Sequence, residues 1–301
     1  MLCARGPVLA APAMHPRMWA HPATQRNVRA LRDDGLVGLV GPALGEVASG
    51  ERGLGRMAEP EAIVAAAMAA LAPQDLRGRR VVVTAGPTVE DLDPVRFIGN
   101  RSTGKMGFAV AARAAARGAA VTLIAGPVAL ATPHAVDRVD VRSAREMRAA
   151  LWTALGGKKL GGAEALIMVA AVADYRPART EDTKIKRTPG ATSLALVANP
   201  DLIAEVGAAR RGRSPVLVAF AVETADDAGV VAAARKKLAA KKVDLVVANH
   251  AADSFGRDDD RATLVDAAGA QPLGLLDKHA LADRILDRVL ALSRPSRRGA
   301  R

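Results

Sequence analysis

From residue 81 onward, short runs that are apolar at nearly every position alternate with longer, alanine-rich stretches. The short runs are VVVTAG (residues 81–86), AVTLIAG (120–126), ALIMVAA (165–171), VLVAFAV (216–222) and DLVVANH (244–250), with a brief ATLVD (262–266) after them. A strand that is apolar on both faces belongs in a sheet covered on both sides. Residues 105–117, 144–155, 226–241 and 276–292 carry the helical stretches. Strands and helices taking turns predict an α/β fold, a mostly parallel sheet with helices on both faces. In such a fold a ligand lies beyond the carboxyl ends of the strands. Residues 1–58 break this rhythm and are rich in Pro, Gly, His and Arg. A helix is predicted over residues 60–71, with Pro60 at a tolerated early position and alanines propagating it. Residues 73–80 read as a linker.

Between the first strand and the first helix of the regular part stands DPVRFIGNRSTGKMG (residues 93–107). A strand, a glycine-containing loop and a helix make a corner suited to phosphate, because the helix N-terminus offers unpaired N–H groups and a positive dipole end. Gly99, Gly104 and Lys105 imitate a P-loop, but Met106 stands where a hydroxyl is needed for magnesium. The strand also ends well before Gly99, so the P-loop reading fails. GERGLG (residues 50–55) has the wrong glycine pattern for a dinucleotide fingerprint and follows no predicted strand.

The 301 residues allow one large or two modest domains. Half are apolar, so a sizeable core is available, while 2% aromatic content argues against stacking platforms for single-stranded nucleic acid. The net charge of +12 suits small polyanionic substrates such as nucleotide phosphates, and no nucleic-acid partner is expected. The only cysteine is Cys3, which excludes an intramolecular disulfide. The apolar start is interrupted by Pro7 and Pro12 and lacks a strongly basic lead, so it does not read as a secretory signal. No stretch approaches the roughly 20 apolar residues of a membrane span, and a cytoplasmic protein is expected. Residues 293–301 are basic and are expected to form a disordered tail.

The loop at residues 93–107 resembles the signature of phosphopantothenoylcysteine synthetase, the CTP-dependent ligase of coenzyme A biosynthesis. Further segments follow in that family's order: AAVADYRP (170–177), KIK (184–186), NPDLI (199–203), AFAVET (219–224) and KLAAKKVDLVVAN (237–249). The resemblance implies a Rossmann-like ligase domain over residues 81–292 that pairs as a homodimer. Its substrates would be CTP, 4′-phosphopantothenate and L-cysteine, with Mg as cofactor. Activation through an acyl-cytidylate is implied, because a carboxylate is a poor electrophile.

Several residues can be weighed on their own chemistry as well. Asp174 is expected at the end of an apolar strand, where a carboxylate suits magnesium that also binds phosphates, although a lone Asp equally caps turns. Lys184 and Lys186 fall in a polar stretch, residues 176–190, that reads as a mobile flap or a solvated loop. The resemblance makes Lys184 a CTP ligand that also assists catalysis. Pro200, Asp201, Leu202 and Ile203 open a helix with Asn199 as the expected N-cap, and the resemblance places this turn at the cytosine. Phe220 is either core filler or, by resemblance, a nucleotide contact. Lys237 and Lys241 share one helical face and would repel each other unless facing a polyanion. The resemblance also puts Arg96 near phosphate, Asn100 near the reacting acyl group and Ala171 against substrate. Val89 departs from the Arg that many relatives carry.

APAMHPRMW (residues 11–19) and ASGERGLGRM (48–57) resemble the C-terminal part of the flavin-dependent phosphopantothenoylcysteine decarboxylase. Residues 1–72 are therefore read as a truncated remnant of that domain. His15 replaces its active-site Asn, and Ser49 replaces the cysteine that protonates the intermediate. A serine hydroxyl cannot do the work of a thiol with a pKa near ~8.5, so no decarboxylase activity is expected. FMN is not expected either, since the flavin-binding part is missing from this chain. His15 and His21 lack further ligands at metal-site spacing. Two other classes remain: an NAD(P)-binding oxidoreductase, for which VVVTAGPT lacks the glycine-rich turn, and a catalytically inactive binding subunit.

Overall fold

The five apolar runs become five neighbouring strands of one sheet in the computed structural model, which describes residues 6–33, 35, 37–187, 189–223, 226–250 and 258–293. Cys3, the basic tail from residue 294 and most of the segment after Asn249 lie outside the described residues. The chain divides into two units, Met1–Asp75 and Leu76–Arg301.

In the first unit, β1 (Val8–Ala10), α1 (Pro16–Ala20), α2 (Pro22–Asp33) and β2 (Val37–Leu39) form a β–helix–β segment whose strands pair in parallel. A hairpin of β3 (Ala43–Glu46) and β4 (Arg52–Arg56) follows, and α3 (Pro60–Leu71) ends the unit. Pro60 opens α3 as predicted, where its missing N–H has no intrahelical partner to lose.

The second unit runs β5 (Arg80–Ala85), β6 (Val89–Asp91), β7 (Phe97–Gly99), α4 (Lys105–Ala116), β8 (Ala120–Ala125), β9 (Val136–Asp140) and α5 (Ala144–Ala154). It continues with β10 (Ala165–Met168), β11 (Tyr175–Pro177), β12 (Leu196–Ala198), α6 (Leu202–Ala209), β13 (Val216–Glu223) and α7 (Asp227–Lys241). β14 (Leu245–His250), β15 (Asp259–Asp266), β16 (Gly269–Asp277) and α8 (Lys278–Ser293) complete it. The large sheet has the order β16-β15-β14-β13-β10-β5-β8-β9. Its six strands from β14 to β9 are parallel, and counted from β5 they follow the doubly wound order 3-2-1-4-5-6. β15 and β16 add an antiparallel edge.

Alternate residues of each central strand feed two cores. Val81, Val83 and Ala85 pack with Phe108, Val110 and Ala111 of α4 and with Leu281, Ile285 and Leu286 of α8. Val82, Ile124 and Leu166 pack with Met147 and Leu151 of α5, Val206 of α6 and Ala234 of α7. Leu166 is fully buried, and burial of such a side chain favours folding by about 1.5–3 kcal/mol.

In the elements of the second unit's large sheet and its flanks, three departures from the sequence reading stand out. Leu76, read as linker, is 1% exposed and belongs to the first of these cores. Residues 269–277 form the edge strand β16, so the last helix starts at Lys278 rather than 276; Pro272 is tolerated because an edge strand leaves one side unpaired. β9 was not foreseen, because its charged VDRVD suits the opposite edge and carries little apolar signal.

Candidate active site

At the switch point, where the strand order reverses, β5 and β10 diverge and the chain beyond each is tied to the other. Ala171 N donates to the Gly86 carbonyl (2.9 Å) and Thr88 N to the Ala171 carbonyl (3.3 Å). The hydroxyls of Thr84 and Thr88, both buried, accept from Ala170 N (3.1 Å) and Ala173 N (2.9 Å). These bonds bend residues 170–173 across the sheet edge. Asp174 consequently lies six residues beyond the end of β10, not at its tip, and is exposed beside β11.

Beyond the strand ends a two-lobed cleft opens, its lobes sharing Val169, Ala171, Phe220 and Val222. One lobe, of about 410 Å3, is lined by Asn100, Ala171, Asp174, Pro200, Asp201, Leu202, Ile203, Phe220, Lys237 and Lys241. Ten of the twelve site residues read from the sequence thus meet in one cavity. Asn100 is oriented by a bond from Nδ2 to the Val172 carbonyl (2.9 Å). Lys237 Nζ donates to the Phe220 carbonyl (2.7 Å), and Lys241 Nζ lies 2.8 Å from Asp201 Oδ2. These acceptors offset the repulsion expected between the two lysines.

Asp201, not Asn199, caps α6, accepting from Ala204 N (3.1 Å). The Asn199 amide is engaged elsewhere: Nδ2 donates to the Ala173 carbonyl (2.9 Å) and Oδ1 accepts from Arg176 (3.0 Å). Asn199 therefore fastens the pocket wall, while Asp201 both starts the helix and meets Lys241.

The second lobe, of about 330 Å3, lies at the start of α4. Gly104 is the N-cap with φ 77°, a conformation glycine adopts without strain, and supplies no side-chain cap. The first intrahelical bond runs from Phe108 N to the Gly104 carbonyl, so the amides of Lys105, Met106 and Gly107 precede it. A Cβ on Gly107 would stand 2.5 Å from that of Ala85, which is why the helix can approach β5 so closely. Across the lobe, Asn249, Asp260 and Lys278 are buried polar residues that sequence reasoning did not place in the site. Asn249 Nδ2 donates to Asp260 Oδ2 (2.7 Å), and among the described residues its Oδ1 is buried without a partner. The only sequence signal for this trio was the VAN run within β14. Lys105 Nζ sits 2.6 Å from Asp258, whose carboxyl it holds below the usual range.

Arg96 and Lys184 do not line either lobe. Arg96 grips Asp93 through Nε and Nη2 (3.0 and 2.7 Å) and also donates to the Ile185 carbonyl. Lys184 flanks that contact on the loop between β11 and β12. The loop is fastened at Thr180 and Glu181 to Asp91 and Leu92. Val95, Phe97, Tyr175, Ile185, Leu196 and Val197 are exposed apolar side chains on these hairpins and loops.

In the first unit a cavity of about 410 Å3 is lined by residues that include His15, Ser49 and Met57. It brings together the two positions whose substitutions stood out in the sequence. His15 caps α1 with Nδ1 and pairs with Glu51 through Nε2. Among the described residues no cluster of His, Cys, Asp and Glu could hold a metal ion by itself, and no helix is long and apolar enough to cross a membrane.

Residues 76–292 match the family model described as DNA/pantothenate metabolism flavoprotein C-terminal domain, and residues 1–72 match the flavoprotein family. The second match pulls against the expectation that no flavin is bound. Over 291 residues the chain is 44% identical to the coenzyme A biosynthesis bifunctional protein CoaBC of Vibrio cholerae, covering 95% of this chain and 70% of that protein. It is also 41% identical to a cysteine/cysteine sulfinic acid decarboxylase from an unknown prokaryotic organism, covering 97% of this chain and 81% of that one. The crystal structure of the C-terminal domain of a CoaBC protein superposes with a TM-score of 0.61 at 34% identity, over 73% of this chain and 97% of that one.

Proposed function

The chain belongs to the DNA/pantothenate metabolism flavoprotein family and acts in coenzyme A biosynthesis, and within that role we propose that it joins 4′-phosphopantothenate to L-cysteine at the expense of CTP. One observation carries the reading: segments scattered from Asn100 to Lys241 converge on a single cavity beside an uncapped helix N-terminus.

The cytosine and ribose occupy the lobe bounded by Pro200, Asp201, Leu202 and Ile203, where backbone groups read the base edge. The triphosphate lies toward α4, whose first-turn amides and dipole favour anions. The α-phosphorus then falls between the lobes, near Ala171 and Asn100. A carboxylate oxygen of 4′-phosphopantothenate attacks it, the bond to the β-phosphate breaks, and pyrophosphate leaves. The cysteine amine next attacks the acyl carbon, the acyl–phosphate bond breaks, CMP departs, and the amine gives up a proton. The amide of Asn100, held from behind by Val172, donates to the acyl oxygen as charge builds on it. Lys237 and Lys241 neutralise nucleotide phosphate, and Lys184 and Arg96 bring further positive charge from the hairpin loops. Asn249 Oδ1, buried and without a partner among the described residues, is an acceptor that a ligand hydroxyl can satisfy.

Magnesium fits this arrangement, since the ion needs only one or two carboxylates beside substrate phosphates. Asp174, exposed on the cavity wall, would hold it, and the ion would supply charge neutralisation to the leaving pyrophosphate. The exposed apolar side chains around β6, β7, β11 and β12 support pairing with a second copy of this chain. Such pairing brings Arg96 and Lys184 to a site they do not reach in their own chain. Decarboxylase activity is absent in this reading, because the first unit's cavity carries Ser49 and His15.

The test is pyrophosphate release by the purified chain with 4′-phosphopantothenate, magnesium and either CTP or ATP. Release that requires 4′-phosphopantothenate and favours CTP is expected. No release with either nucleotide from folded protein rejects the reading. Incubation with phosphopantothenoylcysteine and FMN is expected to yield no carbon dioxide.

A further inference from the structure

The carboxylate of Asp93 is fully buried and collects five donors. Oδ1 accepts from Val95 N and Arg96 N, each at 2.8 Å. Oδ2 accepts from Arg96 Nε (3.0 Å), Arg96 Nη2 (2.7 Å) and Ile185 N (3.0 Å). The first four donors are local. The fifth comes from a loop 92 residues away in the chain, between Lys184 and Lys186. Arg96 closes the ring by donating to the carbonyl of the same Ile185. One carboxylate therefore ties the turn that carries Arg96 to the segment that carries the two lysines. Burial alone would push its carboxyl up, but the amides of Val95, Ile185 and Arg96 with the Arg96 guanidinium hold it well below the usual carboxylate range.

We infer that Asp93 is a positioning residue of the proposed ligase site, the junction that holds Arg96 and the Lys184 and Lys186 segment in one fixed arrangement. The inference rests on the ligase reading and goes beyond it: the cationic groups outside the cavity work as a preassembled unit, not as separate flexible side chains. Arg96 has two tasks in this account. Nε and Nη2 form the junction, and Nη1 remains on the outer side of the guanidinium for phosphate. Charge-assisted bonds of this kind are short and directional, which suits a joint that must hold geometry.

Two full-length variants test this from opposite sides. Asp93→Asn weakens the acceptor, and Ile185→Pro deletes the long-range donor without touching Asp93. In each, trypsin cleavage after Lys186 and Arg187 is expected to speed up by about tenfold or more, as local opening becomes easier. Cleavage at other sites should keep its wild-type rate. In pyrophosphate release with CTP and 4′-phosphopantothenate, kcat should fall by about tenfold or more, because small misplacement of reacting groups is costly. The KM for CTP should rise by less than kcat falls, since Lys237, Lys241 and the Pro200–Ile203 turn are untouched. Unchanged cleavage in both variants overturns the junction. Faster cleavage with wild-type kcat overturns the positioning role. If Asp93→Asn fails to fold, Ile185→Pro decides alone. A wild-type chain that releases no pyrophosphate sinks the ligase reading and the positioning role with it, a result distinct from an active enzyme indifferent to both variants.

Discussion

The two units were folded from the same alphabet but differ in how much of themselves they bury. Among described residues the first unit buries only Trp19, Val28, Val37 and Ala58 of its apolar side chains, each at 7–9% exposure. Its helix α3 buries none, and Leu44 and Leu71 stand 70% and 78% exposed. The second unit encloses two cores around a sheet, with Leu123, Ile124, Leu166 and Leu217 fully sealed. The same contrast runs through the chemistry. The second unit's cleft keeps the asparagine, aspartates and lysines its proposed reaction uses. The first unit's cavity carries Ser49 and His15, and the histidine is occupied as a cap and as the partner of Glu51. The second unit thus sets its cleft on a sealed interior, whereas the first unit surrounds its cavity with few buried apolar side chains.

The contrast in packing should break first under truncation. Leu166→Ala, in the sealed core, is expected to cost about 2–5 kcal/mol in chemical denaturation. Leu71→Ala on α3 should stay within about 0.5 kcal/mol. Similar losses at both sites would erase the distinction between the units. The contrast in chemistry is sharpened next by Asn100→Asp, for which pyrophosphate release should drop roughly 10²–10³-fold, as when an oxyanion donor is lost. Ser49→Ala in the first unit should leave that rate unchanged. Gly107→Ala forces α4 away from β5, and overpacking of this kind is expected to cost about 1–3 kcal/mol with weaker CTP binding, read by thermal shift and calorimetry. A smaller loss than any of the core or catalytic changes is expected for Lys241→Met. It breaks a partly exposed pair with Asp201 and should change stability by less than about 1 kcal/mol, while raising the KM for CTP.

The sequence was most readable where residues make their contacts alone or with near neighbours. β5, β8, β10, β13 and β14 announce themselves because each is apolar on both faces. α4 and α7 follow from alanine-rich composition. What escaped was either too short to show a period or set by partners distant in the chain. β6 with β7 and β11 with β12 are three-residue pairings whose short stretches carry no periodic signal. Asn199 looked like a cap by position, but its amide found Ala173 and Arg176. Arg96 was read as a site residue from the family resemblance, yet the contact of Asp93 and Arg96 with Ile185 depends on a loop that no local pattern brings near. Asn249, Asp260 and Lys278 meet only because β14, β15 and α8 converge at one edge of the sheet. The residues lining the first lobe, and residues 101–107 of the second, were legible because they sit in contiguous motifs; the far side of the second lobe was not, because it is assembled from single positions.

The placement of β5 in the middle of the sheet has a consequence for how the chain is made. β5 is the first strand of the large sheet to be synthesised, and it needs neighbours on both sides. β8 supplies one at Ala120–Ala125, but β10 does not appear until Ala165–Met168. At ~5–20 residues per second on the ribosome, roughly 80 residues of further translation leave that edge open for about 4–16 s. During this interval a flat apolar strand presents unpaired amides and carbonyls to any other nascent chain. Slowing translation between residues 85 and 168 lengthens that exposure, and a chaperone arriving in those seconds protects the centre of the future sheet.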